Sequence, residues 1–167
     1  GLLPLDFIHN EKNLGFLLNS NEGLKRFEGK EGITILLSTD VNIYGKFIPQ
    51  ILEIITENPR SLVGGVLYSH DTGWNKFGDK IFPYIEGWLM ATTTEGWKEL
   101  DYLDSRYASC DFEDVDLSTK AVTHGYQLIP LNNPSLHHMG GQSIAYGLER
   151  AAQTKRNQRK FEEKWVK

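Results

Sequence analysis

The sequence predicts an α/β fold with a mostly parallel sheet flanked by helices. Apolar, β-branched runs at residues 33–37 and 62–68 alternate with segments of helical periodicity, which is the pattern of α/β proteins. Continuous apolar runs are typical of strands that are covered on both faces, as in parallel sheets. A chain of 167 residues with 40% hydrophobic content suits one globular domain with a buried core.

The first part of the chain is expected to alternate strands with helices. The predicted elements are a strand at 2–8, a helix at 15–27, a strand at 33–37, a helix at 47–57 and a strand at 62–68. Pro4 confines the first strand to an edge or an irregular entry. Asp40 follows the second strand, and open α/β sheets bind their ligands beyond the carboxyl ends of strands.

The second part of the chain begins with an expected long loop at residues 69–84, and loops of that length often act as binding lids. The elements predicted after it are a strand at 88–94, helices at 95–102 and 114–124, a strand at 126–131 and a helix at 147–167. We divide the chain into a domain at 1–146 and a charged C-terminal helix at 147–167.

Charge is unevenly distributed along the chain. The net charge of −4 is modest and gives no general nucleic-acid signal. Residues 147–167 hold seven Lys/Arg and three Asp/Glu, so this segment is +4 and the remainder is −8. We expect the terminal helix to pack on its own domain, and peripheral contact with anionic lipid or a partner is the alternative.

The cellular compartment is predicted from cysteine usage and from apolar runs. The single cysteine, Cys110, cannot form an internal disulfide, which favours a reducing compartment. No apolar run approaches the roughly 18 residues of a membrane span, and no signal-peptide pattern opens the sequence. We therefore expect a soluble cytoplasmic protein.

Seven segments of the chain together form a recognisable ordered set: residues 13–16, 21–24, 36–41, 112–117, 125–126, 137–141 and 157–165. In their order and spacing they resemble a family 2-type glycosyltransferase with the A-type nucleotide-sugar fold. The resemblance implies a truncated A-type fold, because family members begin with a nucleotide-binding section before the element at residues 2–8. The isolated chain is then expected to bind donor poorly, and its open sheet edge invites a homodimer.

The resemblance assigns the general base to Asp114, which would accept the acceptor proton in a single displacement with inversion. Glu113 would hold an acceptor hydroxyl, while Asn13, Gly15 and Asn21 would line the donor pocket. Acids at a helix start also cap free amides and favour the helix dipole. We expect that structural role for the neighbouring acids at positions 111 and 116.

The resemblance also implies a site for Mn²⁺ or Mg²⁺, which would neutralise the leaving diphosphate. The usual Asp-x-Asp motif reads Ser38-Thr39-Asp40 here, so Asp40 is the candidate carboxylate, with Asn42 as a secondary oxygen ligand. Either His137 or His138 could complete the site, but not both, because adjacent strand residues face opposite ways. We prefer His138; a hydrogen-bonded structural role is the alternative for either histidine.

Two tryptophans are candidates for stacking on an acceptor sugar. Trp88 follows Gly87 at the start of a predicted strand, and Trp74 lies in the predicted loop. Aromatic faces match the apolar faces of sugars, although tryptophans also serve simply as packing residues. We favour Trp88 for the stacking role.

Two functions follow as hypotheses. The first is an inverting glycosyltransferase that moves a sugar from a nucleotide-diphosphate donor to a glycan, lipid-linked or small acceptor. Normal activity after Asp114→Asn would remove the base assignment. The second is a non-catalytic, glycosyltransferase-like module that binds carbohydrate or supports assembly. The expected lack of the nucleotide-binding section and the altered motif at Ser38 motivate the second hypothesis.

Overall fold

The computed structural model describes residues 6–108, 111–140 and 148–166. The helices are α1 (Gly15–Lys25), α2 (Ile48–Glu57), α3 (Thr94–Glu99), α4 (Glu113–Thr123) and α5 (Leu148–Trp165), with a 3₁₀ turn at Ser105–Tyr107. The strands are β1 (Ile33–Leu37), β2 (Val41–Ile43), β3 (Ser61–Gly64), β4 (Leu67–Tyr68), β5 (Lys76–Phe77), β6 (Lys80–Ile81), β7 (Tyr84–Ile85), β8 (Leu89–Thr93), β9 (Gln127–Pro130) and β10 (Leu136–His138).

The central sheet is mixed, so the prediction of a mostly parallel sheet was wrong. Its strand order is β1-β8-β3-β9. β8 pairs antiparallel with both β1 and β3, and the pairing of β3 with β9 is parallel. An apolar run reports that a strand is covered by other elements, but it carries no information about the direction of the neighbouring strand. The run at residues 33–37 therefore predicted a strand correctly, but it could not predict that the neighbouring strand β8 runs antiparallel to it.

A second, two-stranded sheet fixes the loop that follows β1. β2 pairs antiparallel with β10, so that Val41 lies opposite His138 and Asn42 lies opposite His137. The amide of Met139 also donates to the carbonyl of Asp40, at 3.0 Å. These bonds hold the segment after β10 against the carboxyl end of β1.

The terminal helix α5 packs on the rest of the chain, as we expected. Phe161 is fully buried in the main core, where its ring lies 5.2 Å from that of Phe77 and 5.1 Å from that of Phe82. The helix predicted as a separate segment at residues 147–167 thus shares a core with α4 and the sheet. Contact of its positive face with lipid stays a prediction.

Three smaller expectations differ from the structure. The predicted strand at residues 2–8 lies partly outside the described residues, and Phe7 and Ile8 are in no strand. The predicted strand at 62–68 is divided into β3 and β4. The predicted loop at 69–84 contains the β5–β6 hairpin. It is ordered around buried Asn75, whose amide donates to the carbonyls of His70 and Phe82, at 3.0 and 3.1 Å.

None of the helices in the described ranges has both the length and the apolar character needed to cross a lipid bilayer.

Candidate functional site

One cavity of about 1080 Å³ opens beside the carboxyl end of β1. Its walls come from α1, β1, the turn before β8, the entrance of α4, the end of β10 and the start of α5. The residues predicted from sequence that line it are Asn13, Gly15, Asp40, Trp88, Glu113, Asp114 and His138. Residues far apart in sequence are therefore gathered around one space large enough for a small-molecule ligand.

Asp40 and His138 form the first polar pair of this cavity. The distance from His138 Nε2 to Asp40 Oδ2 is 3.4 Å, and the hydroxyl of Ser38 donates to Asp40 Oδ1. The bond from Ser38, together with the charge of His138, holds the pKa of Asp40 below its usual value, although burial opposes the shift. His137 is exposed and pairs with Asn42, and neither His137 nor Asn42 lines the cavity.

The donor atoms at Asp40 fit a cation that is only partly held by protein. Among the residues that the structure describes, no group of three or more His, Cys, Asp or Glu side chains is arranged to hold a metal. A carboxylate and an imidazole lie together at Asp40 and His138. Mg²⁺ is commonly bound by one or two carboxylates plus phosphate oxygens and water, and Mn²⁺ also accepts imidazole. The pair fits such a cation in the presence of a phosphate ligand.

Trp88 lines the cavity, and most of its side chain is covered by neighbouring residues, so its predicted stacking on an acceptor sugar stays a prediction. Its side chain is 7% exposed. Its ring stacks on the ring of His138, with centroids 5.3 Å apart, and also fills the space where a Cβ of Gly65 would lie. The indole N–H donates to Glu86 Oε2, at 3.0 Å. Trp88 thus orients His138 and Glu86 at the edge of the cavity.

Asp114 lies on the first turn of α4, and its carboxylate points to the turn before β8. The amide of Gly87 donates to Oδ2 at 3.1 Å, and the amide of Val115 donates to Oδ1 at 2.8 Å. Burial raises the pKa of Asp114 to about 6, against the lowering effect of these amides, and the charge of Glu86 adds to the rise. A carboxylate with this pKa is ionised at neutral pH and is a stronger base than an exposed aspartate.

Glu113 is buried, and one of its carboxyl oxygens has no partner. The residue is 8% exposed, and Oε2 makes no hydrogen bond in the described structure. Burial raises its pKa well above the usual value, and the neighbouring charge of Asp114 adds to the rise. A protonated carboxyl donates as well as accepts. An orphaned polar atom beside a cavity indicates a group that a ligand completes.

The turn into α4 is left-handed at two successive residues, Asp111 with φ 69° and Phe112 with φ 79°. Such conformations are costly for residues other than glycine, and surrounding structure has to hold them. Asp111 is not the helix cap we predicted, because α4 lacks a side-chain cap. It bonds instead to α5, accepting from Arg150 at 3.0 Å and from Thr154 at 2.5 Å.

Further contacts from α5 hold the same turn and the helix behind it. Buried Asn157 donates to the carbonyls of Tyr107 and Asp111, at 3.0 and 2.9 Å. Asp116, also predicted as a cap, is fully buried and accepts from Lys164 at 2.8 Å and from the Trp165 indole at 2.7 Å. The position of the Glu113–Asp114 pair therefore depends on the C-terminal helix.

Asn21 is the predicted binding residue that the structure does not bring to the cavity. Its amide donates to the Leu103 carbonyl at 2.7 Å and accepts from the Leu103 amide at 3.0 Å. It thereby ties α1 to the loop after α3, beside a separate hollow of about 580 Å³. Cys110 lies outside the described residues.

Glu86 and Arg150 are charged residues of the cavity wall that the sequence did not single out. Glu86 directly precedes Gly87 and Trp88, and this adjacency to a predicted binding residue could have indicated that Glu86 lies at the site. Arg150 is one of seven basic residues in the terminal segment, and nothing in the pattern separates it from the others.

Comparison with known proteins identifies the family. The family model for glycosyl transferase family 2 matches residues 3–112, which is more than half of the chain. The match ends directly before Glu113 and Asp114. A search of curated proteins gives no significant match. The family implies a nucleotide-diphospho-sugar transferase fold and glycosyltransferase activity in general. The chain therefore belongs to glycosyl transferase family 2.

Proposed function

We propose that the protein is an inverting glycosyltransferase that moves a sugar from a nucleotide-diphosphate donor to a glycan, lipid-linked or small acceptor. One observation carries the proposal: Asp40, Asp114 and His138 line the same cavity in a family 2 chain. A transferase needs a base near the acceptor and charge stabilisation near the leaving diphosphate. Asp114 and the Asp40–His138 pair offer groups suited to those tasks.

Asp114 acts as the general base in this proposal. The acceptor hydroxyl passes its proton to the carboxylate while its oxygen bonds to the anomeric carbon, and the bond from that carbon to the diphosphate breaks with its electron pair leaving on phosphate. Attack opposite to the leaving group inverts the configuration. The amides of Gly87 and Val115 fix the carboxylate in one orientation, which lowers the entropic cost of reaching that geometry.

Glu113 and the start of α1 would bind the substrates. The unpartnered oxygen of Glu113 suits a hydroxyl of the acceptor, which would satisfy a buried polar atom. Asn13 and Gly15 lie on the cavity wall where α1 begins. Gly15 has a φ of 77°, so a residue with a Cβ would strain the turn that exposes this end of α1 to a donor.

Asp40 and His138 would hold Mn²⁺ or Mg²⁺. When bound, the cation supplies positive charge for the diphosphate as it leaves. The side chains themselves are already oriented, since Ser38 bonds to the carboxylate and Trp88 stacks on the imidazole. Ser38 stands where the family usually has a carboxylate or amide, so we propose that it positions Asp40.

Calorimetry with uridine diphosphate and Mn²⁺ tests the donor site. The resemblance implies weak binding by this chain, and affinity in the micromolar range would support the enzyme. We expect Asp40→Ala to weaken binding by about tenfold or more, the effect of losing a contact to a charged group. Asp79→Ala is the matched control, because Asp79 is exposed on the β5–β6 hairpin and does not line the cavity. Equal affinities in the two variants would contradict the role of Asp40.

The alternative proposal is a non-catalytic, glycosyltransferase-like module, and the replacement of the usual motif residue by Ser38 is what favours it. The same titration separates the two functions. Glycan binding in the absence of any nucleotide binding would support the module, whereas nucleotide binding that depends on Asp40 would support the enzyme.

Self-association is proposed from the edge of the central sheet. Within the described ranges β1 has β8 as its sole sheet neighbour, and open strand edges readily pair with other chains. We expect a dimer in sedimentation experiments at increasing protein concentration. A monomer at the highest concentration would refute this expectation.

A further inference from the structure

The charged residues on the walls of the cavity are mostly acidic. The acidic residues that line it are Asp40, Glu86, Asp111, Glu113 and Asp114, whereas Arg150 is the one Lys or Arg side chain among the described lining residues. A nucleoside diphosphate carries at least two negative charges, so several of these carboxylates repel it. Binding such a ligand requires fixed positive charge. Among the described lining residues, Arg150 is the side chain placed to supply that charge.

Arg150 is held in a defined orientation at the cavity wall. Its Nη2 lies 3.0 Å from Asp111 Oδ1 and its Nε lies 3.4 Å from Oδ2, and about a fifth of each side chain is exposed. A guanidinium is planar, remains charged at any physiological pH and carries five N–H donors, so it can pair with a carboxylate and an anion together. A side chain ordered before binding loses less entropy when the ligand arrives.

We propose that Arg150 binds the diphosphate of the donor and stabilises its charge as it leaves, an inference that rests on the proposed function and extends it to a residue of α5. When the bond between the anomeric carbon and oxygen breaks, the electron pair remains on the phosphate oxygen. Arg150 donates hydrogen bonds to the phosphate and transfers no proton. The charge of Arg150 would then act together with the site at Asp40.

A purely structural role of Arg150 makes a different prediction. If it serves only to hold Asp111, then Thr154 has an equivalent task, because its hydroxyl donates to Asp111 Oδ2 at 2.5 Å. Thr154→Val weakens the hold on Asp111 and leaves the positive charge in place. Comparison of variants at positions 150 and 154 therefore separates anion binding from support of the turn.

Calorimetric titration with pyrophosphate in Mg²⁺ buffer tests the inference without the nucleoside. We expect Arg150→Gln to weaken pyrophosphate binding by about tenfold to a hundredfold, the range expected for loss of a charge-assisted hydrogen bond. Arg150→Lys should recover part of this loss, because it keeps the charge without the planar fork. Arg159→Gln is the matched control on the exposed face of α5, and it should bind like the unmodified chain, as should Thr154→Val.

Pyrophosphate affinity that is unchanged in Arg150→Gln, an equal loss in Arg150→Gln and Thr154→Val, or no pyrophosphate binding by the unmodified chain would each overturn the inference. A parallel titration with uridine diphosphate tests the role of Arg150 separately from the proposed transferase function. Nucleotide binding that is insensitive to Arg150→Gln would leave the transferase proposal intact and remove Arg150 from it. Pyrophosphate binding that depends on Arg150, without nucleotide binding, would preserve the anion site and contradict the nucleotide-sugar donor.

Discussion

Asp114→Asn is expected to lower the kcat of sugar transfer by about 10²–10⁴-fold in the natural protein, the usual contribution of a positioned general base. Asparagine keeps the size of the side chain but cannot accept the proton. The KM for the donor should change little, because the donor diphosphate is proposed to bind at Asp40 and Arg150. Asp79→Asn is the matched control, since it removes an exposed carboxylate outside the cavity. Retention of normal kcat in Asp114→Asn would remove the base assignment.

The pH dependence of transfer should report the same carboxylate. Burial raises the pKa of Asp114 to about 6, so the base is ionised above that pH and becomes protonated as the pH falls through it. We expect kcat/KM to fall about tenfold per pH unit below this value. A profile that stays flat between about pH 5 and 7 would contradict the assignment. Glu113 adjoins Asp114, and the measured value will belong to the pair.

Folding stability should change with pH in the opposite direction. The pKa of Asp114 is higher in the folded protein, at about 6, than the roughly 3.9 of an unfolded aspartate. The folded state therefore binds more protons in this interval, and the contribution of Asp114 to stability decreases as the pH rises from about 4 to about 6. Such a cost at neutral pH is typical of a residue kept for activity.

Asp116→Ala is expected to lower the free energy of unfolding by about 3–5 kcal/mol, the usual cost of removing one partner of a buried ion pair. Asp116 is 0% exposed and accepts from Lys164 at 2.8 Å, from Trp165 at 2.7 Å and from Tyr107 at 3.1 Å. The substitution leaves all three donors without this acceptor, although Lys164 retains its bond to Asp104, at 3.0 Å.

Urea unfolding followed by circular dichroism measures this loss. Glu53→Ala is a suitable control, because Glu53 is exposed on α2 and surface substitutions usually change stability by less than about 0.5 kcal/mol. A loss of less than about 1 kcal/mol in Asp116→Ala would show that this network does not hold α5 in place.

Most helices and strands could be predicted from the sequence because their signals are local. The apolar spacing at Ile51 and Ile55 predicted α2, and both side chains are fully or almost fully buried. The continuous apolar run at residues 33–37 is another local signal, and it predicted β1. The direction of strand pairing depends on where the chain crosses the sheet, which no local pattern encodes, so the antiparallel pairing of β1 with β8 was not foreseen.

The cavity could be predicted in outline, and its supporting contacts could not. Asp40, Asp114 and His138 were singled out from their motifs, and the structure brings them to one space. Arg150 gave no signal, and the resemblance at residues 157–165 did not indicate what Asn157 contacts, because both roles arise from packing between residues about 40–50 positions apart. The sequence also contained no sign that the ring of Trp88 is covered by Gly65 and His138, and its stacking on a sugar stays a prediction.

The anchoring of the α4 entrance by α5 has a consequence for biosynthesis. The strained pair Asp111 and Phe112 is tied down by Asn157 and Arg150, which the ribosome adds dozens of residues later. A nascent chain can form its sheet first, since domains begin to fold during translation. The turn that leads to Asp114, the proposed general base, gains these anchors only once Leu148–Trp165 has emerged from the exit tunnel, so we expect the proposed transfer activity to be acquired late in the maturation of the polypeptide.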